Sequence, residues 1–129
     1  MKGGSIMRLN PDCIRDILLT VEEKTGFPAI IEYPDDMQVP RLDNYSEDEI
    51  LYHLSQCKQS NLINGLDFHS DGCIIYGLTP SGHRFIEDIR SDTTWNKTKE
   101  ISKNIGSSSL DVLKQISVGV ISELIKNQF

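Results

Sequence analysis

The sequence predicts an α+β domain in which a set of helices carries a short antiparallel hairpin, and three observations predict it. Helix openings are spelled out by capping residues at Asn10-Pro11-Asp12, Ser46-Glu47-Asp48-Glu49 and Thr79-Pro80. Between the second and third openings, two short β-prone runs, 63–68 and 73–78, flank the turn residues His69-Ser70-Asp71-Gly72. Each stretch read as helix also repeats its apolar residues at helical spacing.

The elements follow in chain order. Asn10 is placed to accept a backbone N–H, Pro11 suits the first helical position, and Asp12 meets the positive end of the helix dipole. Ile14, Ile17, Leu18 and Val21 then form one buried face, until Gly26 and Pro28 stop the helix. Ala29–Tyr33 reads as a short strand, and Pro34–Asn44, with two prolines, as a loop. Ser46 and Glu49 make a capping box for a helix with Ile50, Leu51, Leu54 and Cys57 on its apolar side; Asn61 ends it as a left-handed residue. In the hairpin turn, Gly72 supplies a glycine for positive φ. Thr79 and Pro80 start a helix with Phe85, Ile86 and Ile89 as its buried stripe. A polar helix with Trp95, Ile101 and Ile105 follows and halts at Gly106. Ser107–Ser109 is a hinge and cap, and Leu110–Lys126 is an unusually apolar last helix.

Size and composition bound the answer. At 129 residues and 38% hydrophobic content, one domain can bury a usable core. The first six residues read as a flexible tail without the apolar stretch of a secretory signal. The longest apolar run, near Ile116–Ile125, is broken by Ser117, Gly119, Ser122 and Glu123, which is too polar for a membrane span. Three cysteines without CxxC spacing suit reduced thiols, so the expectation is a cytoplasmic protein.

Helix, two-stranded flap and an LTPSG helix, in that order, resemble bacterial winged-helix regulators. The longer run resembles a family of small phage and Gram-positive bacterial proteins, a domain of unknown function. MRLNPDCIRDILLTVEE, YSEDEILYHLSQCKQSNLI, LTPSGHRFIEDIRSDTTWNKTKE and SSSLDVLKQI carry that resemblance. It implies a winged-helix-like domain with a β-hairpin wing over residues 7–92, and two additional C-terminal helices over 93–129. It also implies a phage or mobile-element setting, and it brings no activity with it. In such regulators the helix before the wing enters the major groove, and a short helix precedes it; here only Pro34–Asn44 has room for that short helix.

By that analogy the recognition helix would present Tyr52, Ser55, Gln56, Lys58 and Gln59, and Gln can pair with adenine. The charge disfavours it. Residues 46–92 hold three basic and eight acidic side chains, residues 1–45 net −3, and residues 93–129 net +2. DNA affinity rests largely on Lys and Arg neutralising phosphates, and with this charge the same helix face reads more readily as an ordinary solvated one than as a base-reading one. The expectation is a non-enzymatic binding protein: a winged-helix regulator with DNA as a candidate partner, or a protein–protein adaptor with an acidic surface and no nucleic-acid contact. Trp95, Leu113, Ile116, Val120 and Leu124 are the candidate oligomer or partner contacts, a homodimer included, against the alternative that they complete the core.

Catalytic and metal patterns are weak. His53/Cys57 and His69/Cys73 each have i, i+4 spacing, yet match no zinc-finger pattern, and Cys57 lies on an apolar face. No phosphate loop or nucleophile elbow is present, and the carboxylate clusters read as solvated faces. No cofactor or metal is expected, and no catalytic residue is assigned.

Overall fold

The computed structural model describes residues 7–26 and 30–129. Within them the order is α1 (Pro11–Lys24), β1 (Ile31–Tyr33), a 3-10 turn (Pro40–Leu42), α2 (Glu47–Gln59), β2 (Ile63–His69), β3 (Gly72–Leu78), α3 (Pro80–Ile89), α4 (Asp92–Ile105) and α5 (Leu110–Lys126). The fold is mixed α+β, with five helices and a three-stranded antiparallel sheet in the order β1-β3-β2. The expected tail, the Pro28 stop and the Ala29 strand start lie outside the described residues.

Local capping builds these helices as their sequences require. Asn10 Oδ1 accepts from the Asp12 N–H, Ser46 and Glu49 exchange both bonds of a capping box, and Thr79 Oγ1 accepts from the Gly82 N–H. Asn61 stands at φ 60 just past α2, and Gly106 closes α4 in the left-handed region. The Thr25 hydroxyl donates to the Val21 carbonyl at the end of α1, so the helix stops at Lys24 before Gly26.

α1 is the central element, touching α2, α3 and β3. Cys13, Ile14, Ile17, Leu18 and Val21 are fully buried along it. They meet Leu54 and Cys57 of α2, Ile75 of β3, and Phe85, Ile86 and Ile89 of α3 in one core. The Pro34–Asn44 segment, read as an unpatterned loop, also feeds that core: Met37, Val39 and Leu42 are buried there. An irregular segment has no period to expose such residues, so only its packing reveals them. A three-residue 3-10 turn stands where a winged-helix regulator would carry a further helix.

Gly72 has the positive φ expected of it, and sheet pairing adds a second task. A Cβ at Gly72 would lie 1.8 Å from the Tyr33 carbonyl oxygen, so glycine there supplies space for β1 to approach the turn. The free edge of β1 is closed. Glu32 donates its N–H to the Asp36 carboxylate and accepts from the Asp36 N–H, which leaves no open groups at that residue for another strand. At the other edge, β2 is irregular at Gly65 and Leu66, both with positive φ.

α4 and α5 pack against each other and onto α3. Arg15 reaches from α1 to the Ile89 and Arg90 carbonyls and to Asp92, binding the end of α3 to the start of α4. Trp95 is buried and Ile101 half-buried, but Ile105 is 61% exposed, because α4 turns its buried face through Thr94, Thr98 and Ser102. No helix among the described residues is long and apolar enough to cross a membrane.

Candidate binding face

α2 is held in place by a histidine. His53 is buried, and its Nε2 accepts the Asn10 backbone N–H at 2.8 Å. That fixes the tautomer: Nδ1 carries the proton and donates to the Glu49 carbonyl at 2.7 Å. Protonating Nε2 would set an N–H against the Asn10 N–H. Burial, partly opposed by the carbonyl and carboxylate of Glu49, holds the His53 pKa below the ordinary histidine value. The unfolded chain therefore binds more protons once pH falls below about 6.5. Stability should be full above that pH and decline as pH drops through the folded-state pKa. Urea unfolding between pH 8 and pH 5 checks this: the wild type should lose stability with acidification faster than His53→Gln, and parallel curves would remove His53 as the cause.

The five side chains proposed for reading bases are unevenly available. Tyr52, Ser55 and Gln56 are half-buried, while Lys58 and Gln59 are exposed. The Tyr52 ring packs edge-on against His53 at 4.9 Å, and the Gln59 amide donates to the Ser55 hydroxyl. Lys58 and Gln56 are left as polar groups of this set with no such engagement.

Charge on this face is one-sided. From Ser46 to Leu78 the chain holds five carboxylates, Glu47, Asp48, Glu49, Asp67 and Asp71, and a single cation, Lys58. Elsewhere many cations are already engaged: Arg41 pairs with Glu23, Arg90 with Glu22 and Glu87, and Lys99 with Asp12. Burial and the Glu47 carboxylate raise the Tyr33 pKa.

The hairpin has two faces of different character. On the side away from the helices, the Tyr76 hydroxyl donates to Asp67 at 2.8 Å and His69 lies 3.8 Å from Glu32. On the helix side, register sets Phe68 opposite Cys73 and Cys73 opposite Tyr33. Cys73 and Tyr33 are buried in that row, whereas Phe68 is 61% exposed. The sequence alone does not single out Phe68; its position depends on β2 being the outer strand, which no local pattern encodes.

The residues expected at an oligomer or partner contact divide along α5. Trp95 and Leu113 are committed to intramolecular packing, Val120 is buried and Ile116 half-buried, and Leu124 is exposed. Trp95 and Leu113 thus follow the alternative weighed for them, completing the core. The more exposed apolar side chains of that helix are Val118 and Ile125.

The His/Cys constellation does not assemble. Cys57 and Cys73 are buried in the core while His69 sits at the exposed hairpin end, and no group of three or more metal-ligating side chains occurs among the described residues. Burial pushes the Cys13 thiol up to about 12, with Glu49 and Asp16 adding to it, and burial pushes Cys73 up to about 11. These thiols stay protonated at neutral pH.

A relative from Haemophilus influenzae, described as "Uncharacterized protein", is 30% identical over 123 residues, covering 92% of this chain and 99% of the relative. No solved structure matches the chain. Residues 8–109, from the approach to α1 through α4 to the cap of α5, match the model of the family described as "Hypothetical protein (DUF2513)", and the chain belongs to that family.

Proposed function

We propose that the chain is a non-enzymatic binding domain of winged-helix architecture, which meets a protein partner through α2 and the β2–β3 hairpin without contacting nucleic acid. The observation that carries this reading is the charge of that face: five carboxylates against Lys58 alone. A duplex bound there would bring phosphates against carboxylates with almost no counterion release to drive binding. Three buried free thiols fit a cytoplasmic setting, and the phage or mobile-element context implied by the sequence resemblance suits a protein that docks on host components.

One observation favours a DNA-binding regulator as the second reading. α2 directly precedes a paired hairpin, β1-β3-β2 is the strand order of a winged helix, and Gln56 and Lys58 lie on α2. The two readings separate on a retention assay with pooled random duplex DNA at about 50 mM and about 200 mM salt. No retention at either salt is the expected result; retention that falls steeply with salt overturns the protein-docking reading. In that event Gln56→Ala should relax sequence preference, while Lys58→Ala should weaken binding to all sequences alike. A photo-crosslinking side chain at position 59 should join a partner protein in cells, and the same group at Lys97 on α4 should not.

A further inference from the structure

We propose, building on the protein-docking reading above, that Phe68 is the apolar anchor of this face and that its occupant is a lysine- or arginine-rich protein segment presenting an apolar side chain. Three observations converge on it.

The first is an unfinished apolar row. Tyr33, Cys73 and Phe68 stand side by side across the sheet on its helix-facing side. The first two are sealed under the helices, and the third extends past their cover with 61% of its surface in water. A large aromatic in this position offers much apolar area for few rotatable bonds, the property that makes aromatic side chains dominate binding energy at interfaces.

The second is that backbone pairing is unfavourable at both sheet edges. Asp36 closes β1 at Glu32, and the irregular Gly65–Leu66 stretch distorts β2. Side chains are therefore the stronger handle for a partner, and Phe68 is the most exposed apolar one on the hairpin.

The third is complementarity of charge. Asp67 and Asp71 lie within three residues of Phe68, and the α2–hairpin segment 46–78 carries five carboxylates against one cation, a balance that attracts a basic segment and repels phosphates or an acidic peptide.

The test uses the full chain with three fluorescent probes: a lysine/leucine peptide, a lysine/serine peptide of equal charge, and a random duplex DNA, titrated by anisotropy at moderate salt. The lysine/leucine peptide should bind about tenfold more tightly than the lysine/serine peptide. Phe68→Ser should erase that difference, whereas Ile105→Ser, an equally exposed apolar site on α4, should keep it. Glu47→Lys combined with Asp48→Lys should weaken both peptides together. Equal binding of the two peptides to the wild type, or an unchanged preference in Phe68→Ser with circular dichroism matching the wild type, overturns the anchor. DNA binding tighter than either peptide overturns the underlying docking reading instead.

Discussion

Replacing Trp95 with alanine should lower the unfolding free energy by about 3–5 kcal/mol, the range for truncating a buried large aromatic. The indole is 2% exposed, and its N–H donates to Asp12 Oδ1 at 2.8 Å. The same oxygen accepts from Lys99 at 2.8 Å. Partial burial alone would raise the Asp12 pKa, but the bonds from Lys99 and Trp95 overcome it and hold the carboxyl below its ordinary value. Arg15 and Lys99 also flank the ring, at 5.8 and 5.6 Å from its centre. One side chain therefore joins the first turn of α1 to α4. Trp95→Phe keeps much of the packing and loses the N–H donor, so its loss should be clearly smaller than that of alanine. Urea unfolding followed by circular dichroism measures both. A domain of this kind has only about 5–15 kcal/mol to lose. A cost below about 1 kcal/mol for Trp95→Ala would show that α4 is not sealed onto α1 by this residue.

What the sequence makes legible follows from how local each feature is. Asn10, Ser46, Thr79 and Gly106 act within a few residues of themselves, and each caps its helix as the residue type predicts. The buried stripe of α1 is equally visible, because its 3.6-residue period is written in Ile14, Ile17, Leu18 and Val21. Met37, Val39 and Leu42 escape notice because an irregular segment buries side chains by where it docks. His53 looks like an ordinary polar residue until Asn10, 43 positions away, supplies the second partner that lets a neutral imidazole be buried. The binding face divides in the same way. Its acidity can be counted from composition, while the exposure of Phe68 requires knowing that β2 lies outermost. Leu113 passes for a partner-contact candidate in the sequence for the complementary reason: an apolar helix does not announce which of its faces is already covered.

Two glycine-to-alanine substitutions should move stability in opposite directions, and their contrast tests how the hairpin is anchored. Alanine in a helix interior is ordinarily favoured over glycine by about 0.5–1 kcal/mol, because the unfolded chain loses less freedom. Gly119 lies in the middle of α5, and a Cβ added there would meet nothing within 4 Å, so Gly119→Ala should stabilise by that amount. Gly82 is also helical, but a Cβ there would sit 2.1 Å from the Leu62 carbonyl oxygen and 3.0 Å from its carbon. Both atoms belong to backbone and cannot swing aside. That contact is the junction where α2 passes into β2 and α3 begins: Thr79 donates its N–H to the Leu62 carbonyl at 3.0 Å and its hydroxyl to the Asn61 carbonyl at 2.6 Å. Separating the chains enough to admit a methyl group would stretch both bonds. Gly82→Ala should therefore destabilise by about 2–3 kcal/mol, overpacking outweighing the helix preference. Because the same junction leads into the hairpin, Gly82→Ala should also weaken peptide binding at the Phe68 face, while Gly119→Ala should leave it unchanged. Thermal melts and the anisotropy titration on both variants measure this. If Gly82→Ala were stabilising, α3 would have to be free to shift away from Leu62, and the hairpin would not be held by that contact.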